Sequence, residues 1–256
     1  MNLACTIIPT HPPHFNYTLN ALESYNKTVN GNLYLVFSNN SDYELFNSKT
    51  NEKFNHLILE SPFTTYKNII NAKKLYAVQQ LASKYKYIGV LDAEVEFVKK
   101  YDEFIEYNNI FESKEFKSNL SHRGNEILSV VLNSMDLGED GNSIILKETN
   151  DLKQYWWFNE IFVYESETFC EFFNWMQTHK NFITMMEERH CFDYFIYSIW
   201  LIVFKQFKLK KMCQNETFKF GAMEECTNLE LIDQFESMVS KISESTHTKI
   251  VIQKDR

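Results

Sequence analysis

The chain has 256 residues, 44% of them apolar and 16% aromatic, enough for one sizeable core. A net charge of −8, with Arg123, Arg189 and Arg256 the only arginines, argues against nucleic-acid binding of the usual Lys/Arg-driven kind. Six glycines and no G-x-G-x-x-G or G-x-x-x-x-G-K-[ST] run exclude the dinucleotide fingerprint and the P-loop, so any phosphate must be held mainly by lysines, backbone N–H groups and metal.

In chain order, residues 3–8 form an apolar run stopped by Pro9, a first buried strand. Pro9-Thr10-His11-Pro12-Pro13-His14 reads as a stiff loop, followed by a helical pattern over 16–25. Asn30-Gly31 is a turn signal. Residues 33–37 (Leu-Tyr-Leu-Val-Phe) predict a second strand, ending in Ser38-Asn39-Asn40-Ser41-Asp42, a polar loop with helix-capping residues. A third short strand is expected over 56–59. The clearest helix spans 66–85, with apolar positions at Ile70, Leu75, Val78, Leu81 and Tyr85 and no Gly or Pro. Strands alternating with helices call for a parallel sheet.

The stretch 87–97 reads Tyr-Ile-Gly-Val-Leu-Asp-Ala-Glu-Val-Glu-Phe. Its apolar half predicts a buried strand that ends in carboxylates at alternate positions, Asp92, Glu94 and Glu96. In an extended chain these would project to one side, with Ala93, Val95 and Phe97 on the other. Open α/β sheets take ligands at the carboxyl ends of their strands. Two hard oxygen donors one residue apart suit a divalent cation shared with a diphosphate. The competing structural reading is an edge strand with a solvated acidic face.

Beyond Phe97 the pattern predicts a charged helix over 101–116, a polar segment over 119–126, an apolar run over 128–132 and a flexible loop or hairpin tip over 137–142. Residues 156–164 form a strand-like aromatic block, and Ser166 caps a helix reaching about residue 178. A helix is expected over 185–207, with an apolar centre from 192 to 204. That centre falls short of the ~20 residues needed to cross a bilayer. Lys205-Gln206-Phe207-Lys208-Leu209-Lys210-Lys211 mixes cations with apolar groups, so a peripheral contact with an anionic membrane face is weighed against a solvated helix end. A helix over 229–243 and a strand over 249–253 complete the tail.

Cys5, Cys170, Cys191, Cys213 and Cys226 are odd in number and contain no C-x-x-C pair, as expected of free thiols in a reducing compartment. The N-terminus has no basic n-region, and 3–9 is too short for a signal h-region, so a cytoplasmic location is expected.

These features together resemble the GT-A glycosyltransferases, specifically bacterial-type transferases of cell-surface polysaccharide or glycolipid. The resemblance rests on a first strand ending Ile-Pro-Thr, a second ending Phe-Ser-Asn, a helix carrying Asn71 and Lys73, and a strand running into Asp92-Ala93-Glu94 where that family has Asp-x-Asp. It covers residues 3–97 well and 156–202 more loosely. Glu94 departs from the family's second Asp.

The resemblance implies a single GT-A-like domain over 1–256, α/β with a mostly parallel, Rossmann-type central sheet flanked by helices. Residues 1–97 would bind a nucleotide-sugar donor, and a helical half, 98–256, a glycan or glycolipid acceptor. It implies a nucleotide-sugar-dependent, hexosyltransferase-type activity with Mn²⁺ or Mg²⁺ held by Asp92, Glu94 and His190. Pro9, Thr10, His11, Ser38, Asn39, Asn71, Lys73 and Asp92 would contact the donor, and Trp157 and Asn159 the acceptor. Glu188, with Asp193 and Glu160 behind it, would be the base that takes the acceptor's hydroxyl proton. Two rivals remain: an inactive binding or scaffold module on the same fold, and a sugar-nucleotide pyrophosphorylase, which usually needs the Gly-rich N-terminal loop that residues 9–14 lack.

Overall fold

Alternation along the first strand sets the architecture. In β1 (Asn2–Pro9), Ala4 and Ile8 pack into one apolar cluster and Cys5 and Ile7 into another. A strand buried on both faces needs a covering layer on each. The computed structural model of the protein, which describes residues 2–29, 31–97, 100, 102–119, 124–150, 157–158, 161–211 and 251–253, supplies both layers.

After β1 come α1 (Phe15–Thr28), β2 (Leu33–Phe37), α2 (Asn40–Asn47), β3 (Asn55–Ile58), α3 (Ile69–Leu81), β4 (Tyr85–Val90) and β5 (Val95–Phe97). Next follow α4 (Glu103–Glu112), β6 (Glu115–Asn119), α5 (Gly124–Met135), α6 (Gly138–Asn150), β7 (Trp157–Phe158) and β8 (Phe162–Glu165). The remainder is α7 (Ser166–Thr178), α8 (Phe182–Glu187), α9 (Asp193–Lys205), β9 (Lys208–Lys211) and β10 (Val251–Gln253). Buried residues of α1, α2 and α4 cover one face of the central sheet, and those of α3, α5, α7 and α9 cover the other. The fold is therefore α/β, with a mostly parallel sheet between helical layers.

The central sheet has the order β3-β2-β1-β4-β8. β1, β2, β3 and β4 run parallel, and β8 closes the edge antiparallel to β4, with Val90 opposite Phe162. The chain thus builds outward from β1 through β2 to β3, then returns to place β4 on the other side of β1. Gly89, in the middle of β4, has a packing reason: a Cβ there would collide with the Tyr107 ring of α4.

Several elements depart from the sequence expectation. The strand expected to carry three carboxylates ends at Val90; Ala93 and Glu94 lie in a turn, and β5 pairs antiparallel with β10 outside the central sheet. Ala93, Val95 and Phe97 are buried as expected, but the acids do not share one extended face. Residues 137–142 are not a loop. Gly138, at φ +74°, opens α6, and Glu139 and Asp140 sit in its first turn, where negative charge suits the helix dipole. The charged helix stops at Glu112, and Lys114 (φ +49°) turns the chain into β6.

The block 156–164 divides between two sheets, β7 pairing with β6 and β8 with β4. The helix expected over 185–207 is broken into α8 and α9 by extended backbone at Glu188 (ψ 126°) and Phe192 (ψ 141°), and Asn71 on α3 accepts the Asp193 N–H, a first-turn donor with no partner inside the new helix. The helix expected over 229–243 lies outside the described residues, while β10 falls within the expected 249–253. No helix among the described residues is long and apolar enough to cross a membrane.

Candidate active site

The reversal of winding lies between β1 and β4, and open α/β sheets form a ligand crevice where strand order reverses. Thr10 follows β1 and keeps the ladder going for one step, its N–H donating to the Val36 carbonyl at 3.0 Å. Its hydroxyl meets that of Thr18 at 2.6 Å, and both residues are fully buried. Its carbonyl accepts a 2.6 Å hydrogen bond from Lys73 Nζ, reaching across from α3. Burial pulls the Lys73 ammonium down from 10.5 to about 8, with Asp42 acting weakly in the other direction.

His11 is half-buried, its ring 4.1 Å from that of His14. Its Nδ1 is buried and has no hydrogen-bond partner. Burial lowers its pKa, and the neighbouring His14 and Lys73 lower it further. His14 in turn sets its Nδ1 against Oε1 of the buried Glu94.

The second strand end carries Asp92, whose Oδ1 accepts a 2.8 Å hydrogen bond from Lys74 Nζ. The same ammonium lies 3.5 Å from Oδ1 of Asp193, the first residue of α9. Burial by itself would lower Lys74. Asp193 and Asp92 outweigh it and hold the ammonium above the ordinary lysine value. Asp193 is wholly buried, and its Oδ2 accepts a 2.6 Å bond from the Tyr164 hydroxyl. Asn71 completes the bracket: its Nδ2 donates to the Cys191 carbonyl, and its Oδ1 accepts from the Asp193 N–H at 3.2 Å.

Of the residues expected to meet a donor, Pro9, Thr10, His11 and Asp92 lie at the strand ends beside this reversal, with Lys73 wholly buried behind the Thr10 carbonyl. Asn71 lies beneath them with both ends of its amide committed to residues 191–193. Ser38 is half-buried after β2, and Asn39 is exposed as the N-cap of α2, its side chain accepting from the Asp42 N–H. Of the base candidates, Asp193 is sealed behind Lys74 and Tyr164. Glu188 is partly exposed; its Oε1 accepts from the His190 N–H at 3.2 Å and lies 3.3 Å from the His190 ring nitrogen. Asn68, the N-cap of α3, donates to the Glu188 carbonyl at 3.4 Å, tying the Glu188 backbone to the start of the helix that carries Lys74. Trp157 lies in β7, while Asn159 and Glu160 lie outside the described residues.

Lys74 and His14, the partners of the two motif carboxylates, are absent from the sequence expectation. Lys74 had a signal. Ala72, Leu75, Tyr76, Ala77 and Val78 leave that helix apolar all round, so a lysine among them needs a hydrogen-bond acceptor, a carboxylate for Lys74 and a carbonyl for Lys73.

Asp92, Glu94 and His190 do not gather as a set: among the described residues, no group of three or more His, Cys, Asp and Glu is placed to hold a metal ion. Mg²⁺-type sites, however, are commonly built from one or two carboxylates plus the substrate's own phosphates. Asp92, with 36% of its side chain exposed, fits that pattern, whereas Glu94 is turned toward His14.

The protein is thus α/β, with buried polar and charged groups gathered at a strand-order reversal. No protein-family profile matches the chain, and no curated protein matches it. Among solved structures, apo mouse xyloside xylosyltransferase 1 is similar over 98% of this chain and 97% of that one, at 8% identity and a TM-score of 0.46.

Proposed function

We propose that the crevice between β1 and β4 binds a nucleoside-diphosphate sugar, and that the protein transfers the sugar to a glycan or glycolipid acceptor. The observation that carries this function is the reversal of strand order, at whose carboxyl ends lie an unsatisfied buried His11 Nδ1, a buried Lys73 cation and the Asp92 carboxylate. Buried polar atoms without partners are rare, and His11 Nδ1 is one whose missing partner a bound nucleotide would supply. His11 Nδ1 would hydrogen-bond the nucleotide portion of the donor.

Departure of the diphosphate builds negative charge that fixed positive groups stabilise. Lys73, charged at neutral pH and held behind the Thr10 carbonyl, contributes such charge in a poorly screened setting. Asp92 would hold Mn²⁺ or Mg²⁺, which when bound supplies Lewis-acid neutralisation of the departing group. Glu188, the partly exposed acid on the α8–α9 connection, would accept the acceptor's hydroxyl proton.

A second possibility, a module that binds the nucleotide without turnover, is favoured by the pairing of Asp92 and Glu94 with Lys74 and His14. Melting curves with a panel of nucleotide sugars, with and without Mn²⁺, followed by assay of nucleoside diphosphate release, separate the two. Transfer predicts stabilisation by one donor class, release of diphosphate, and at least tenfold weaker donor binding in His11→Ala. Stabilisation without release favours the module. Failure of every donor to shift the melting temperature removes the nucleotide-sugar site.

A further inference from the structure

Two asparagines at the start of α3 are engaged at both ends of their amides. Asn68 caps the helix through Oδ1, which accepts the Asn71 N–H at 3.3 Å, while its Nδ2 donates to the Glu188 carbonyl at 3.4 Å. Asn71 is buried; its Nδ2 donates to the Cys191 carbonyl and its Oδ1 accepts the Asp193 N–H at 3.2 Å. The segment so held is a tight turn. The Cys191 N–H returns to the Glu188 carbonyl at 3.1 Å, and the His190 N–H donates to Glu188 Oε1 at 3.2 Å. Its backbone is thus anchored from α3 at residues 188, 191 and 193, whereas the side chains of Glu188 and His190 stay 35% and 37% exposed. Rigid backbone under accessible polar side chains is how a scaffold presents functional groups on a loop. Each position needs an amide, because a carboxylate of the same shape accepts but cannot donate. The far end of the turn, Asp193, shares the Lys74 ammonium with Asp92, which fastens the turn beside the end of β4.

We infer that Asn68 and Asn71 are positioning residues that fix the 188–191 turn so that the Glu188 carboxylate meets the acceptor's hydroxyl. Asn71 then acts through the turn and not on the donor. A base works only within hydrogen-bond reach of its proton, so a small displacement of this backbone costs rate and leaves donor binding alone. The inference rests on the proposed transfer, with Glu188 as its base.

The test uses the full chain and a panel of uridine and guanosine diphosphate hexoses, with water in the acceptor's place and release of nucleoside diphosphate as the readout. Asn68→Asp and Asn68→Ser both keep a good helix cap and lose the bond to Glu188, so the melting temperature should hold. Each should lower kcat about tenfold or more with the donor KM unchanged. Hydrogen exchange over residues 188–193, read by mass spectrometry, should run about fivefold faster in both. Asn71→Ala should behave alike; if it fails to fold, the Asn68 pair decides. Exchange at the wild-type rate in the Asn68 variants means that α3 does not hold the turn, and faster exchange with an unchanged kcat means that the turn is held but not used. Either result overturns the inference, as does a raised donor KM with kcat intact in Asn71→Ala, which would put that side chain on the donor. In all three cases the wild type still releases diphosphate and the proposed transfer stands. If the wild type releases none from any member of the panel, the transfer itself fails and the role of the turn falls with it.

Discussion

Lys73 and Lys74 are chain neighbours on α3, both buried, yet they face opposite electrostatic surroundings. Successive residues of a helix point about 100° apart. That rotation sends Lys73 to a neutral carbonyl after β1 and Lys74 to two carboxylates at β4 and α9. Burial pushes both ammonium groups down, and only Lys74 has partners strong enough to reverse the shift. Desolvation is thus common to the pair, and the partner decides the charge state. One side of α3 carries a cation that is easily neutralised, and the other a cation whose partners keep it charged.

The sharpest way to break this contrast is Lys74→Met. It leaves the buried Asp193 without its counterion and should cost about 3–5 kcal/mol in urea unfolding, as loss of one partner of a buried pair does. Adding Asp193→Asn should restore at least half of that, and a loss below about 1 kcal/mol in the single variant would mean that the pair is not holding charge.

The second test is pH. The folded value of Lys73, about 8, lies below the ordinary 10.5, so between the two the unfolded chain binds more protons and stability rises with pH. Wild type should therefore gain roughly 3 kcal/mol over Lys73→Met between about pH 8 and 10.5. Parallel stability curves would sink the assignment. Lys74, raised when folded, contributes in full throughout that window. The smallest effect belongs to Asp42→Asn, which removes the carboxylate that partly supports the charge on Lys73. It should move the same rise to lower pH while changing stability at pH 7 by under ~0.5 kcal/mol.

The central strands were legible where they are buried on both faces, although Tyr85, expected to end a helix over 66–85, opens β4 instead. The apolar run 33–37 coincides with β2, and 3–8 lies within β1. The position of Asp92 just past a strand end followed from the same runs, whereas Pro9 closes β1 itself and residues 12–14, expected as loop, form a short 3-10 helix. What escaped depends on partners far along the chain. Nothing local to residues 185–207 says that the helix will break there, or that Asn71, more than a hundred positions earlier, will take the Asp193 N–H that starts its second half. Nor does the alternation of Asp92, Glu94 and Glu96 indicate a turn at Ala93-Glu94, since the pattern for a strand and for two pieces separated by a turn is the same over so few residues. Gly138 looked like a loop residue, and its positive φ instead starts a helix.

Asn68, Asn71 and Lys74 stand three residues apart along α3, and all three hold the connection from Glu188 to Asp193. Their usefulness lies in helical phase as much as in identity. One extra residue between Asn68 and Lys74 would turn the two out of step by about 100° and slide them 1.5 Å apart. It would undo the bracket without altering a single side chain. The number of positions separating these three is thus as much a part of the crevice as the groups that line it.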